Sequence, residues 1–300
     1  MFDFRYHALS LAAVLIALTL GILLGVAIGD AGLVSSAEQN LRDQLRSNLK
    51  TSQDQTRQLQ AQLALRSAFE SDVYPLLVGG KLNGKRIGLL FIGQPTDATN
   101  RLVRSALDGT GGQLVVVGVV RDPPDLPALG SLAAPGRYGT LASDATLLRP
   151  FAVRMGKQLA LGGRLVGRVQ GTLLSSYNGS LQPLDGVVLV RSRPTLSAAE
   201  AKIADTFEQG LASGLSSSGV PVVGAETSAT NPSNVSWFRS QNLSSVDNLD
   251  DLAGRTALVF ALVGAHGAFG TKSTAETLLP QQASAPAGAA PAAQSAAPRP

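Results

Sequence analysis

Residues 86–120 read RIGLLFIGQPTDATNRLVRSALDGTGGQLVVVGVV. Ile87 to Ile92 is an unbroken apolar run of strand length, and Leu114 to Val120 is a second. Between them, Asp97 to Asp108 sets Ala98, Leu102, Val103, Ala106 and Leu107 at helical spacing, with Gly109 as the stop. Both runs are continuously apolar instead of alternating, the pattern of a parallel strand covered on both faces. Strand, helix and strand in that order predict an open, mainly parallel α/β sheet built from crossover units.

Working toward the C-terminus, Val187 to Val190 and Val220 to Val223 repeat the strand pattern. The helix between them opens on Ser197-Ala198-Ala199-Glu200, a capping box, and continues through Ile203, Ala204, Phe207 and Leu211. Ser244 to Asp247 reads as a further short strand, and a last helix runs from Asp251 through Leu258, Val259 and Leu262 to Gly264. The stretch from Arg121 to Gly186 is broken by Pro123-Pro124, Pro127, Pro135 and Pro150; a helix from Pro150 to Leu161, followed by Gly-rich turns, is the reading there. The sheet domain is thereby bounded at residues 81–270. Residues 281–300 are Ala, Pro, Ser and Gln apart from Gly288 and Arg299, the composition of a disordered tail.

Working toward the N-terminus, Leu82-Asn83-Gly84-Lys85 is a turn and Tyr74-Pro75 ends a helical signal. Ser36 to Glu70 contains neither Gly nor Pro, and its leucines recur as Leu41, Leu45, Leu49 and as Leu59, Leu63, so residues 36–73 are expected to form a helical stalk. With Leu45 and Leu59 at heptad position a, Leu41 and Phe69 fall at d, but Asn48, Ser52, Gln55 and Gln62 share the seam. A weak coiled coil, with polar core residues that set register, is one reading. A lone stalk helix that docks on another protein or on its own globular domain is the other.

Before the stalk, Ala8 to Gly29 carries no formal charge over 22 residues. A helix of that length spans about 33 Å, matching the roughly 30 Å hydrocarbon core of a bilayer. Residues 1–35 therefore read as an N-terminal transmembrane anchor; a cleaved secretory signal is the competing reading, with Ala27-Ile28-Gly29 as the small-residue site. Arg5 before the span and Asp30 and Glu38 after it favour a cytoplasmic N-terminus and export of the bulk. Gly21, Gly25 and Gly29 share one helix face, the spacing that lets two membrane helices approach closely, so the span and stalk together predict a homo-oligomer, a dimer or higher.

Composition narrows the function classes. The chain has 44% hydrophobic and 15% charged residues, suiting a packed body. Its net charge is +4, and the cations between Arg137 and Arg193 are scattered with little aromatic interleaving, so no nucleic-acid partner is expected. With no cysteine, and only His7, His266, Met1 and Met155 as other soft donors, neither thiol chemistry nor a metal or other cofactor site is predicted.

The search for catalytic motifs is empty. Gly109-Thr110-Gly111-Gly112 follows a helix, as a stop does, and not a strand, as a phosphate loop must. Gly214 to Gly219 precedes a strand, the wrong order for a nucleophile elbow. Asp250-Asp251 reads as a helix cap in preference to a cation site, Asn178-Gly179-Ser180 as a turn, and His266 as a structural histidine. A non-enzymatic protein is expected.

The run Arg5-Tyr6-His7-Ala8-Leu9-Ser10-Leu11-Ala12-Ala13-Val14, the Leu-spaced helix behind it, Ser245-Val246-Asp247-Asn248-Leu249 and Gly254-Arg255-Thr256 resemble the actinobacterial copper transporter family, over about Phe2 to His266. The resemblance implies a cell-envelope protein of copper efflux and resistance. It also implies a membrane-anchored scaffold that helps control cell-wall hydrolases at division, with the stalk as the binding element. The implied partners are the lipid bilayer, further copies of the chain, and an envelope or cell-wall protein.

Overall fold

The structure is a computed structural model that describes residues 4–29, 33–179 and 182–281. The chain divides into two compact units, Met1–Ala68 and Phe69–Pro300.

The first unit holds helix α1, Phe4–Gly29, and most of helix α2, Leu33–Val78. Within α1, Arg5–Ala27 is long and apolar enough to cross a membrane. Along α2, Thr51 and Thr56 return their hydroxyls to the carbonyls one turn back, and Glu38 to Arg42 and Asp43 to Arg46 pair along the exposed surface.

In place of the stop expected at Tyr74-Pro75, α2 continues to Val78 with Pro75 inside it. The reason lies in the second unit. Tyr74 and Val78 are buried in its core, and the Tyr74 hydroxyl donates to the Ala106 carbonyl oxygen at 2.8 Å, so packing outweighs the lost backbone bond. Burial pushes that phenol up to about 12.

The second unit is built on seven strands: β1 Arg86–Gly93, β2 Gln113–Val120, β3 Leu174–Gly179, β4 Gly186–Ser192, β5 Val222–Ala225, β6 Ser244–Val246 and β7 Ala268–Phe269. Their order is β3-β2-β1-β4-β5-β6-β7, parallel throughout except that β3 runs antiparallel to β2. The α/β class and the open, mainly parallel sheet are thus as the sequence predicts. Asn178 and Gly179, read as part of a turn, instead end β3 opposite Val117 and Val116; Ser180 lies outside the described residues.

Helices α3 (Asp97–Leu107) and α9 (Leu252–Leu262) cover one face together with the end of α2. Helices α4 (Leu126–Ala133), α5 (Leu148–Leu161), α6 (Arg164–Leu173), α7 (Ala198–Ser216) and α8 (Val235–Ser240) cover the other. Strand residues alternate between the two cores: Ile87, Leu89 and Phe91 pack toward α3 and α9, while Leu90 and Ile92 pack toward α5 and α7. That two-sided burial is why the strands read as unbroken apolar runs.

The Arg121 to Gly186 stretch holds more order than its prolines indicate. The Gly-rich segment after Leu161 contains a whole helix, α6, because Leu165, Val166, Val169 and Leu173 all find the core. Helix α5 lies unusually close to α7: a methyl on Gly156 would overlap the Leu211 carbonyl oxygen, and one on Gly214 would overlap that of Val153. The Gly214 to Gly219 segment is therefore a packing surface and a helix end.

Candidate functional site

Strand β1 lies between β2 and β4: the chain runs from β1 to β2 and β3 on one side and then crosses back to β4 on the other, so its winding reverses there. In open α/β sheets ligands gather outside the carboxyl ends of the strands at such a point. Here that edge is polar. Each strand of the parallel set runs directly into charged or hydrogen-bonding residues: Gly93-Gln94, Asp122 after β2, Arg191 and Arg193 at β4, Glu226 after β5, Asp247 after β6, and Lys272 beyond β7.

The Gly93-Gln94 turn fits tightly against β4. Gln94 donates its backbone N–H to the Ser192 carbonyl oxygen at 2.9 Å. Gly93 has φ 87°, and a side chain there would overlap the same carbonyl, so only glycine serves.

Beside it stands a charged cluster. Arg191 donates through Nε to Glu208 Oε2 at 2.8 Å and through Nη1 to Asn234 Oδ1 at 2.9 Å, with its guanidinium 4.9 Å from the centre of the Trp237 ring. Arg193 donates to Glu208 Oε1 at 3.2 Å and to Asp205 Oδ1 at 2.6 Å. Asp122 is the unsatisfied member. Its side chain is fully buried, neither carboxylate oxygen has a hydrogen-bond partner among the described residues, and Arg193 Nε is 4.0 Å away. Burial, and then the neighbouring Glu208, push the Asp122 carboxyl up to about 7. With both guanidiniums already engaged by Glu208 and Asp205, the third carboxyl stays above the usual carboxylate range.

A second cluster continues the first through Asn234, whose backbone N–H donates to Glu226 Oε2 at 2.6 Å. Glu226 also accepts from Ser233 Oγ at 2.6 Å and from Lys272 Nζ at 2.7 Å. Lys272 completes its coordination on the carbonyl oxygens of Thr227 and Thr230. Asp247 is wholly buried and accepts from the backbone N–H groups of Thr271 and Lys272 at 2.8 and 3.1 Å. The Ser245 to Leu249 motif therefore clamps the segment that follows β7 onto the sheet.

Most residues picked out by sequence motif stand elsewhere. His266 lies at the opposite, amino edge, where it lines a shallow groove with Arg239, Asn242, Ser244 and Glu276. Asp251 occupies the N-cap of α9 without a capping side-chain bond. Asp250 instead holds the backbone and hydroxyl of Ser228; burial opposes its ionisation, but those two bonds win and keep its carboxyl below the usual range. Met155 is fully buried in the α5–α7 core, and no group of three or more His, Cys, Asp or Glu is arranged to hold a metal ion among the described residues.

The expected pairing residues are uncovered in the single chain. A methyl added at Gly21, Gly25 or Gly29 meets nothing within 4 Å. Leu41, Leu45, Leu59 and Phe69 are 57 to 68% exposed, and Phe69 also borders an apolar groove of about 250 Å³ with Val73, Leu77, Leu252 and Leu278.

The carboxyl-edge network has no motif to announce it, because its members are far apart in sequence. The available signal is positional: Arg191, Glu226 and Asp247 are the first charged residues after apolar strands.

No curated protein matches the chain. A sequence model of a family described as copper transport outer membrane protein, MctB, matches residues 1–122 and 156–280, which include α1, α2 and all seven strands of the sheet. On that match the chain belongs to the MctB copper transport family.

Proposed function

We propose that this chain is a membrane-anchored envelope component of copper efflux, held by α1 with its N-terminus in the cytoplasm and its sheet unit outside. The family match over span, stalk and sheet carries this reading. Copper is cargo here. The donor set does not suit a resident copper site, since Met155 is sealed in the core and His266 stands apart. The contribution to efflux is assembly of a larger envelope complex in place of ligation by this chain alone.

A second reading draws on a different observation, the row of exposed Leu41, Leu45, Leu49, Leu59 and Leu63 on α2. It makes the protein a non-enzymatic oligomeric scaffold whose stalk binds and regulates partners in cell-wall hydrolysis and division. One experiment separates the two: deletion of the gene, scored for copper tolerance beside cell separation, and complemented with full-length protein or with a version lacking Ser36 to Glu70. Copper sensitivity alone, cured by the stalkless version, supports transport and sinks the scaffold. Chained cells with normal copper tolerance, cured only by the full-length protein, support the scaffold and sink transport.

A further inference from the structure

Three of the helices that cover one face of the sheet contain no acidic residue at all: α4 reads LPALGSLA, α5 LRPFAVRMGKQLAL and α6 RLVGRVQGTL. Two of them carry Arg149, Arg154, Lys157, Arg164 and Arg168, every one exposed. On α6 the inward positions are Leu165, Val166, Val169 and Leu173, which leaves Arg164 and Arg168 one turn apart on the outer side. Arg121 extends the row, because its Nε donates at 3.1 Å to the carbonyl oxygen of Thr172, one further turn along. Three guanidiniums thus line about 12 Å of helix. Helix α5 is tied to the start of α6 by Gln158, which accepts from the Val166 N–H at 2.9 Å, and it adds Arg154 and Lys157 on its own outer side.

None of these six cations makes an ion pair among the described residues, whereas Arg191 and Arg193 are matched by buried or half-buried carboxylates. Six cations without an ion pair give these helices a net positive field, offset in part by Asp125 and Asp144, which cap α4 and the turn before α5.

We propose that this face binds a linear phosphate-bearing polymer. The cations form a row over two helices; Arg149 at one end borders an open groove with Ser213, Ser216 and Gln241, and the others lie on the open helix surface, so an extended ligand fits. Five of the six are arginine, whose planar fork engages phosphate oxygens in pairs. Nucleic acid is disfavoured because the sole aromatic residue on the three helices, Phe151, is fully buried and offers no stacking platform. A bilayer surface is disfavoured because amphipathic membrane binders set an apolar strip beside their cations. The outer side of α6 instead alternates arginine with Gly167 and Gly171, and the exposed Leu132 and Leu161 stand singly. The inference goes beyond the copper reading and does not depend on it.

The test uses the full chain in phosphatidylcholine discs, with long-chain inorganic polyphosphate as probe and binding read at several salt concentrations. Two double variants carry the same change in net charge: Arg164→Glu with Arg168→Glu on the basic face, and Arg101→Glu with Arg104→Glu on α3, across the sheet. The expected result is that the α3 pair binds like wild type, while the α6 pair binds about tenfold or more weakly with a shallower salt dependence. Absent binding, equal loss in both pairs, or equal binding by both would overturn the proposal. So would displacement of polyphosphate by phosphatidylglycerol vesicles or by polyuridylate at a lower phosphate concentration than polyphosphate itself needs. Should the α6 charge reversal unfold the protein, Arg164→Gln with Arg168→Gln gives the same reading.

Discussion

Arg191 Nε donates to Glu208 Oε2 at 2.8 Å, joining the end of β4 to the buried side of α7. Glu208 is also bonded by Arg193, and its side chain exposes no surface. Removing one member of a buried charged group strands the others without water, a loss of about 3–5 kcal/mol in comparable cases. Glu208→Ala is expected to lower unfolding stability by about 3 kcal/mol. Asp205→Ala, at the half-exposed arm of the same cluster, should cost under about 1 kcal/mol. Trp237 is the single tryptophan and stands over Arg191, so its fluorescence during urea unfolding reports the difference.

Asp122 makes stability depend on pH in an unusual direction. Its folded carboxyl titrates at about 7, above the unfolded value near 3.8, so the folded state binds the proton more tightly. Its contribution is fully present below about pH 4 and is lost as pH rises through about 7. Asp122→Asn, which mimics the protonated acid, should match wild type at pH 4 and exceed it at pH 8. Because Asp122 titrates together with Glu208, the gain is about 1–2 kcal/mol. Parallel melting curves at the two pH values check it, and a gain of equal size at both would contradict the assignment.

Gly214→Ala tests the contact between α5 and α7. The added methyl would overlap the Val153 carbonyl oxygen, and backbone must move to admit it. Helix propensity favours alanine by about 1 kcal/mol, but overpacking costs about 1–3 kcal/mol or more. Net destabilisation is expected. By contrast, Gly171→Ala on the outer face of α6 meets nothing and should be neutral or stabilising, as thermal melts of the pair will show.

Lys272→Met removes the only cation bonded to Glu226 among the described residues and leaves that carboxylate, 3% exposed, on Ser233 and Asn234 alone. A loss of about 3 kcal/mol follows from the uncompensated charge. Because Asp247 still holds the Thr271 and Lys272 backbone, hydrogen exchange should quicken first around Thr227 to Thr230, whose carbonyl oxygens also bind the Lys272 ammonium.

The sheet is legible in the sequence because its strands are buried on both faces, which writes them as apolar runs. Ile87 to Ile92 locates β1 to within a residue at each end. Helix α6 is not legible, because only its inner half is apolar and its outer half is Arg and Gly, which locally resembles a turn. Pro75 misleads for the opposite reason: a local breaker is overridden by the burial of Tyr74 and Val78, contacts made with residues about thirty positions onward. The carboxyl-edge cluster unites Asp122, Arg191, Glu208 and Asn234 across four separate segments, so no local spacing announces it. His266 draws the eye as a rare side chain, yet the fold sets it at the far end of the strands from that cluster, a separation that spacing alone does not encode.

The last turns of α2 settle where this protein can be cut. A soluble version beginning at Lys81 would discard Tyr74 and Val78 and open the face formed by Val103, Ala106 and Leu107 to water. One beginning at Phe69 keeps that face closed. The boundary between the two units thus falls inside helix α2, and a truncated form keeps that core closed only if it retains the helix's final ten residues, Phe69 to Val78.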